Sequence, residues 1–162
     1  MSSSNVGPAS PFDSSKKKEK IGPDQNEFRK ALPKYRKALT ILPDFASAYL
    51  NYAWALDQLG KNKAAETNYL KSLQLNPNNL KTLRAYSAFL LQNRRHQEAV
   101  LLLKEAEKQR LSDPDIFNNL GVGFLMLGER QKAENYFMKA LKIDSRHPQA
   151  RRNLAGLLKN KR

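Results

Sequence analysis

The chain has 162 residues, 40% of them hydrophobic, with 29 Lys and Arg against 15 Asp and Glu and no cysteine. That length and apolar content suit one domain or one repeat array, and the missing cysteines exclude disulfides, thiolate-ligated metals and thiol chemistry. The net charge of +14 favours acidic partners but concerns association rather than fold.

Residues 1–27 begin with a Ser- and Pro-rich stretch, followed by Lys16-Lys17-Lys18-Glu19-Lys20 and Gly22-Pro23. Apolar residues are few and unpatterned here, which predicts a disordered basic tail. The tail lacks the apolar core of a secretory signal, and no run in the chain approaches the roughly 20 apolar residues of a membrane span. A cytoplasmic location is expected, with a nuclear one if the lysine run serves as a localisation signal.

Residues 28–45 carry one apolar stripe, through Phe28, Ala31, Tyr35, Ala38, Leu39 and Ile41, and end at Pro43. Intervals of three and four residues mark one face of a helix. Pro33 removes a backbone donor inside it, so its start is expected to kink or fray. Residues 46–79 carry two stripes. Tyr49, Tyr52 and Leu56 form the first, and Ala65, Tyr69 and Ser72 the second, with Leu59-Gly60-Lys61-Asn62 between them. Residues 80–113 repeat the plan through Leu83, Tyr86, Leu90 and then Ala99, Leu103, Ala106. In this unit Arg94 replaces the turn glycine, and Glu107 and Gln109 replace Leu73 and Leu75, so its second helix should end early or lie more exposed. Residues 114–147 follow with Phe117, Leu120, Phe124 and then Ala133, Phe137, Ala140 around Gly128. Residues 148–162 hold only a first helix, through Leu154, Ala155 and Leu158, with Arg151, Arg152, Lys159, Lys161 and Arg162 to solvate it.

The spacing is regular. Ala31, Ala65, Ala99 and Ala133 stand 34 residues apart, and the stripes around them keep one register. Gly60 and Gly128 suit the left-handed backbone that ends a helix. Pro43-Asp44, Pro77-Asn78-Asn79 and Asp113-Pro114 separate the units, with Asp or Asn expected to cap the next helix. A 34-residue helix–turn–helix with this aromatic, small-residue and proline register resembles the tetratricopeptide repeat, or TPR. The resemblance covers residues 28–162. It implies an all-α, right-handed superhelical solenoid of antiparallel helix pairs, with three full repeats (46–79, 80–113, 114–147), an N-terminal half-repeat (28–45) and a C-terminal capping helix (148–162).

In proteins of this family the first helices line a concave groove that receives a peptide or helix. Register then places Asn51, Asn119 and Asn153 in one groove row, interrupted by Ala85. Asn both donates and accepts, which matches a peptide backbone. Arg84 and Arg152 share a row with Asn118 and Leu50, and suit carboxylates of an acidic partner. Lys81 belongs to a row with Ser47, Asp115 and Gln149. Trp54 and Val122 belong to a fourth row with Ala88 and Gly156. Trp54 is either a groove anchor or a packing residue beneath the half-repeat. The chaperone-binding carboxylate clamp of some TPR proteins is incomplete in both frames: Arg84, Ala88, Asn119, Gln149, Asn153, or Leu50, Trp54, Ala85, Asp115, Asn119.

No catalytic constellation, phosphate loop or metal-binding set emerges. His96, near a helix start, and His147, before Pro148, read as surface or capping residues, and Glu105 and Glu107 as members of a solvated face. No cofactor is expected. Residues 1–45 hold 9 basic and 5 acidic groups, and residues 148–162 hold 5 basic and none acidic. Nine of the net positive charges therefore lie on the two ends. With most aromatics in the repeat core, nucleic acid is a poor fit. The expected function is a non-catalytic interaction module or scaffold with a protein or peptide partner, self-association being open through the incomplete N-terminal repeat. The alternatives are the TPR portion of a larger protein or enzyme, and a basic nucleic-acid-associated protein.

Overall fold

A computed structural model describes residues 25–159. The expected tail of residues 1–27 lies almost wholly outside them. The described residues form eight helices: α1 Gln25–Ile41, α2 Ala46–Gln58, α3 Asn62–Leu75, α4 Leu80–Gln92, α5 His96–Lys108, α6 Pro114–Met126, α7 Arg130–Ile143 and α8 Pro148–Lys159. Helices α2/α3, α4/α5 and α6/α7 are antiparallel pairs stacked in chain order as a right-handed superhelical solenoid. α1 packs on α2 and α8 on α7. Helix α1 begins at Gln25 and is continuous through Pro33.

The pairs close because the register delivers small residues where helices approach. Ala65, Ala99 and Ala133 have no exposed surface, and neither do Tyr69, Leu103 and Phe137 one turn later. The interior divides into an N-terminal cluster around Tyr69 and Tyr86 and a C-terminal cluster around Phe117 and Phe137. Leu73, Leu91 and Leu102 pack against both. Each repeat thus touches mainly its neighbours, as in a quasi-one-dimensional array.

Gly60 and Gly128 take positive φ of 70° and 81°. The next residues, Lys61 and Glu129, donate their amides to Leu56 and Phe124, closing the helix ends. Arg94 holds the same conformation at φ 60° without glycine's freedom, and Arg110 does so at φ 59°. An L-residue in this region costs about 1–2 kcal/mol. Helix α5 has 13 residues against 14 in α3 and α7, so the end of this unit is indeed the shorter.

Three other details differ from expectation. Asp44 does not cap α2. The cap position is Phe45, which has no side-chain acceptor, whereas Asn79 and Asp113 cap α4 and α6. In α8 the buried residues are Ala150 and Leu157; Leu158 is 43% exposed, because no second helix lies against that face among the described residues. Glu107 is not part of a solvated face. Tyr136 donates to it at 2.7 Å, and Lys104 and Lys139 pair with it at 2.5 and 2.7 Å, tying α5 to α7. Burial pushes its carboxyl up, but the hydrogen bonds from Lys104, Lys139 and Tyr136 prevail and hold it down at about 2.

Candidate functional site

The first helices α2, α4, α6 and α8 lie side by side. Their shared face carries two polar chains that sequence alone does not show. In one, Asn153 on α8 donates to the Asn118 carbonyl on α6 at 2.9 Å. Asn118 donates to Asn119 at 3.5 Å, and Asn119 donates to the Ser87 hydroxyl on α4 at 2.9 Å. Ser87 in turn donates to the Arg84 carbonyl at 3.0 Å. The polarity is uniform along the relay, so each amide's orientation fixes the next.

In the other chain, the Arg84 guanidinium donates to Asp115 at 2.6 Å and lies 3.9 Å from Asp113. Asp115 also meets His147 Nε2 at 2.9 Å. His147 Nδ1 accepts the Ala150 amide at 3.1 Å, which caps α8. Because Nδ1 accepts, Nε2 carries the proton and donates to Asp115. Burial raises the Asp115 carboxyl, but hydrogen bonds from His147 and Arg84 outweigh it and the net direction is down.

Of the sequence-selected residues, the structure brings Arg84, Asn118, Asn119 and Asn153 into these chains. Asn118 is buried at 6% exposure and Val122 at 4%, so neither offers a groove surface as the row assignment implied. Asn118 is taken up by the contact with Asn153 of α8, and Val122 by the C-terminal core cluster. Arg84 is engaged within the chain. Asn51, Lys81 and Arg152 are exposed. Trp54 packs beneath α1 and is still partly open to solvent. Its ring meets Phe28 of α1 edge-on at 5.0 Å, yet 44% of it stays exposed. Ser87 and Asp115 also join these chains, whereas register alone sets Asp115 in the row of Lys81. His147 is a capping residue, as expected, but a buried one at 5% exposure. The signal was spacing: Arg84 to Asp115 and Ser87 to Asn119 span 31 and 32 residues, just short of one repeat. That interval pairs successive first helices.

Among the described residues, no group of three or more His, Asp and Glu could hold a metal, and no helix is long and apolar enough to cross a membrane.

A repeated antiparallel helix pair whose first helices are joined by these polar chains defines a helical scaffold of the tetratricopeptide class. The family profile described as tetratricopeptide repeat matches residues 49–160, and the chain belongs to that family. It is 32% identical over 129 residues to the type IV pilus assembly protein PilF of Pseudomonas aeruginosa, covering 78% of this chain and 51% of that protein. The chain thus spans about half the length of the curated relative it matches. Among solved structures, the Pseudomonas aeruginosa protein superposes with a TM-score of 0.77 at 29% identity, over 85% of this chain and 63% of that one. PilW, described as a widely conserved type IV pilus biogenesis factor, superposes at 0.73 with 22% identity, over 82% of this chain and 61% of that one; this likeness concerns the fold.

Proposed function

We propose that the chain is a non-catalytic protein-interaction module whose concave face seats an extended, acidic segment of a partner. The observation that carries this reading is the pre-paired face itself. The relay from Asn153 to Ser87 and the Arg84–Asp115–His147 chain hold α4, α6 and α8 in fixed register. A preorganised face loses little freedom on binding. The Asp115 charge is balanced by Arg84 while His147 donates a hydrogen bond to it, so Lys81 and Arg152 remain as exposed cations, with Asn51 as an exposed amide.

Anisotropy of a fluorescent acidic peptide library against the full chain, wild type and Lys81→Ala/Arg152→Ala, tests this. The double variant should bind about tenfold more weakly with an unchanged thermal midpoint. Equal affinity for both proteins would remove the concave face from the reading. Asn119→Ala and Asn153→Ala are less suitable, because each cuts the relay and should lower stability together with binding.

The likeness to PilF favours a second reading, in which the partner is a component of a type IV pilus assembly. Capture of pilus assembly proteins on the immobilised chain tests that. We place the protein in the cytoplasm; recovery in the cell-envelope fraction would displace this location and favour the pilus reading.

A further inference from the structure

We propose that an acidic amphipathic helix from a partner protein completes the repeat at the N-terminal end, seated against α1 and α2. In the three full repeats, the second helix buries its small and large residues on the first helix. Ala65, Ala99, Ala133, Tyr69, Leu103 and Phe137 have no exposed surface. Their counterparts Ala31 and Tyr35 in α1 remain partly exposed. Trp54 stands two repeats before Val122, which is 4% exposed, yet Trp54 is 44% exposed.

Phe45 occupies the corner held elsewhere by Asn79, Asp113 and His147. Two of those turn back onto the preceding first helix, Asp113 toward Arg84 at 3.9 Å and His147 onto Asp115 at 2.9 Å. Phe45 is 50% exposed at the equivalent corner. A slot for a first helix is therefore lined by Ala31, Tyr35, Ala38, Phe45 and Trp54. The chain's own sequence does not suit it: one repeat before Tyr49, Tyr52 and Leu56 stand Ser15, Lys18 and Gly22.

Charge selects the occupant. Lys30, Lys34 and Lys37 run beside Ala31, Tyr35 and Ala38 and are exposed. Glu27, the only acidic residue of α1, already pairs with Lys30 at 3.0 Å. A second copy could offer the open face of α8, but the charged residues of α8 are Arg151, Arg152 and Lys159, all basic. Like charges at a contact oppose it. The fitting partner is a helix of about 13 residues, the length of α2, α4 and α6. It has apolar side chains spaced as Leu83, Tyr86 and Leu90, and carboxylates on its remaining face.

The test uses the full chain and a synthetic peptide of about 16 residues with the apolar spacing of α4 and Glu elsewhere, beside the same peptide with Lys for Glu. Trp54 is the only tryptophan, so its emission reads occupancy of the slot. The acidic peptide should shift that emission to the blue and bind at least about tenfold more tightly than the basic one. Lys34→Glu/Lys37→Glu should reverse the preference. Phe45→Asn gives α2 the capping acceptor that Asn79 gives α4, so the chain should keep its thermal midpoint and lose affinity at least about fivefold. Lys81→Ala/Arg152→Ala should leave this binding unchanged, so failure of the concave-face reading and failure of this one are separable. Equal affinity for the two peptides, or no emission shift, overturns the proposal. So does a free chain that dimerises with Trp54 buried, or a free monomer in which acrylamide fails to quench Trp54.

Discussion

Replacing Gly121 with alanine is the sharpest test of how the repeats pack. Gly121 lies in α6 against α7, and a methyl group there would fall 2.5 Å from Cδ1 and Cε1 of Phe137. Ordinary carbon contacts lie near about 3.5–4.0 Å, so the ring must move by roughly 1 Å. Phe137 has no exposed surface, and a close-packed interior offers it little room. Overpacking of this kind costs about 1–3 kcal/mol. Alanine recovers up to about 1 kcal/mol through its higher helix propensity. The net expectation is a loss of about 1–2 kcal/mol, or a fall of roughly 3–7 °C in Tm for a chain of this size. Gly156 in α8 is the control: a methyl group there meets nothing within 4 Å. Gly156→Ala should therefore gain about 0.5–1 kcal/mol. Urea denaturation and calorimetry of both variants, with circular dichroism to check helix content, measure the pair. Adding Phe137→Leu to Gly121→Ala should cost less than the two changes summed. If Gly121→Ala is as stable as Gly156→Ala, the close approach of α6 and α7 is wrong.

Three further predictions follow from the ion pairs and the turns. Glu107 titrates near 2 in the folded chain against its ordinary 4.5, so its stabilisation is complete above about pH 4.5 and is lost as pH falls toward 2; that window is worth about 2–3 kcal/mol, and Glu107→Gln should flatten the acid limb of a stability–pH curve there. Arg94→Gly should stabilise by about 0.5–1 kcal/mol in urea melts, since glycine adopts the φ of 60° without the steric cost. Asp115→Asn should cost about 1 kcal/mol, because the pair is partly exposed; it should also raise affinity for an acidic peptide by freeing Arg84, and unchanged binding would show that Arg84 does not face the groove.

The 34-residue period determined the fold by itself. It set helix pairs, their order, the small residues at Ala65, Ala99 and Ala133, and the left-handed turns at Gly60 and Gly128, because these depend on backbone geometry and local side-chain size. It also showed that Arg94 stands where a glycine belongs, although only the structure showed the strained turn kept intact. The site was less legible. Register says which helix face a residue occupies but not how far one helix is offset from its neighbour. The packing of neighbouring first helices buries Asn118 and Val122, ties Asn119 to Ser87 and pairs Arg84 with Asp115. Glu107 looked like a replaced core leucine until Lys104, Tyr136 and Lys139 converged on it from two helices. Trp54 was equally undecided, because its environment depends on a neighbouring first helix and not on its own stripe. Hydrogen bonds between residues 31 to 35 positions apart are set by the lateral packing of whole helices, and that packing is where tertiary structure decided what the repeat pattern left open.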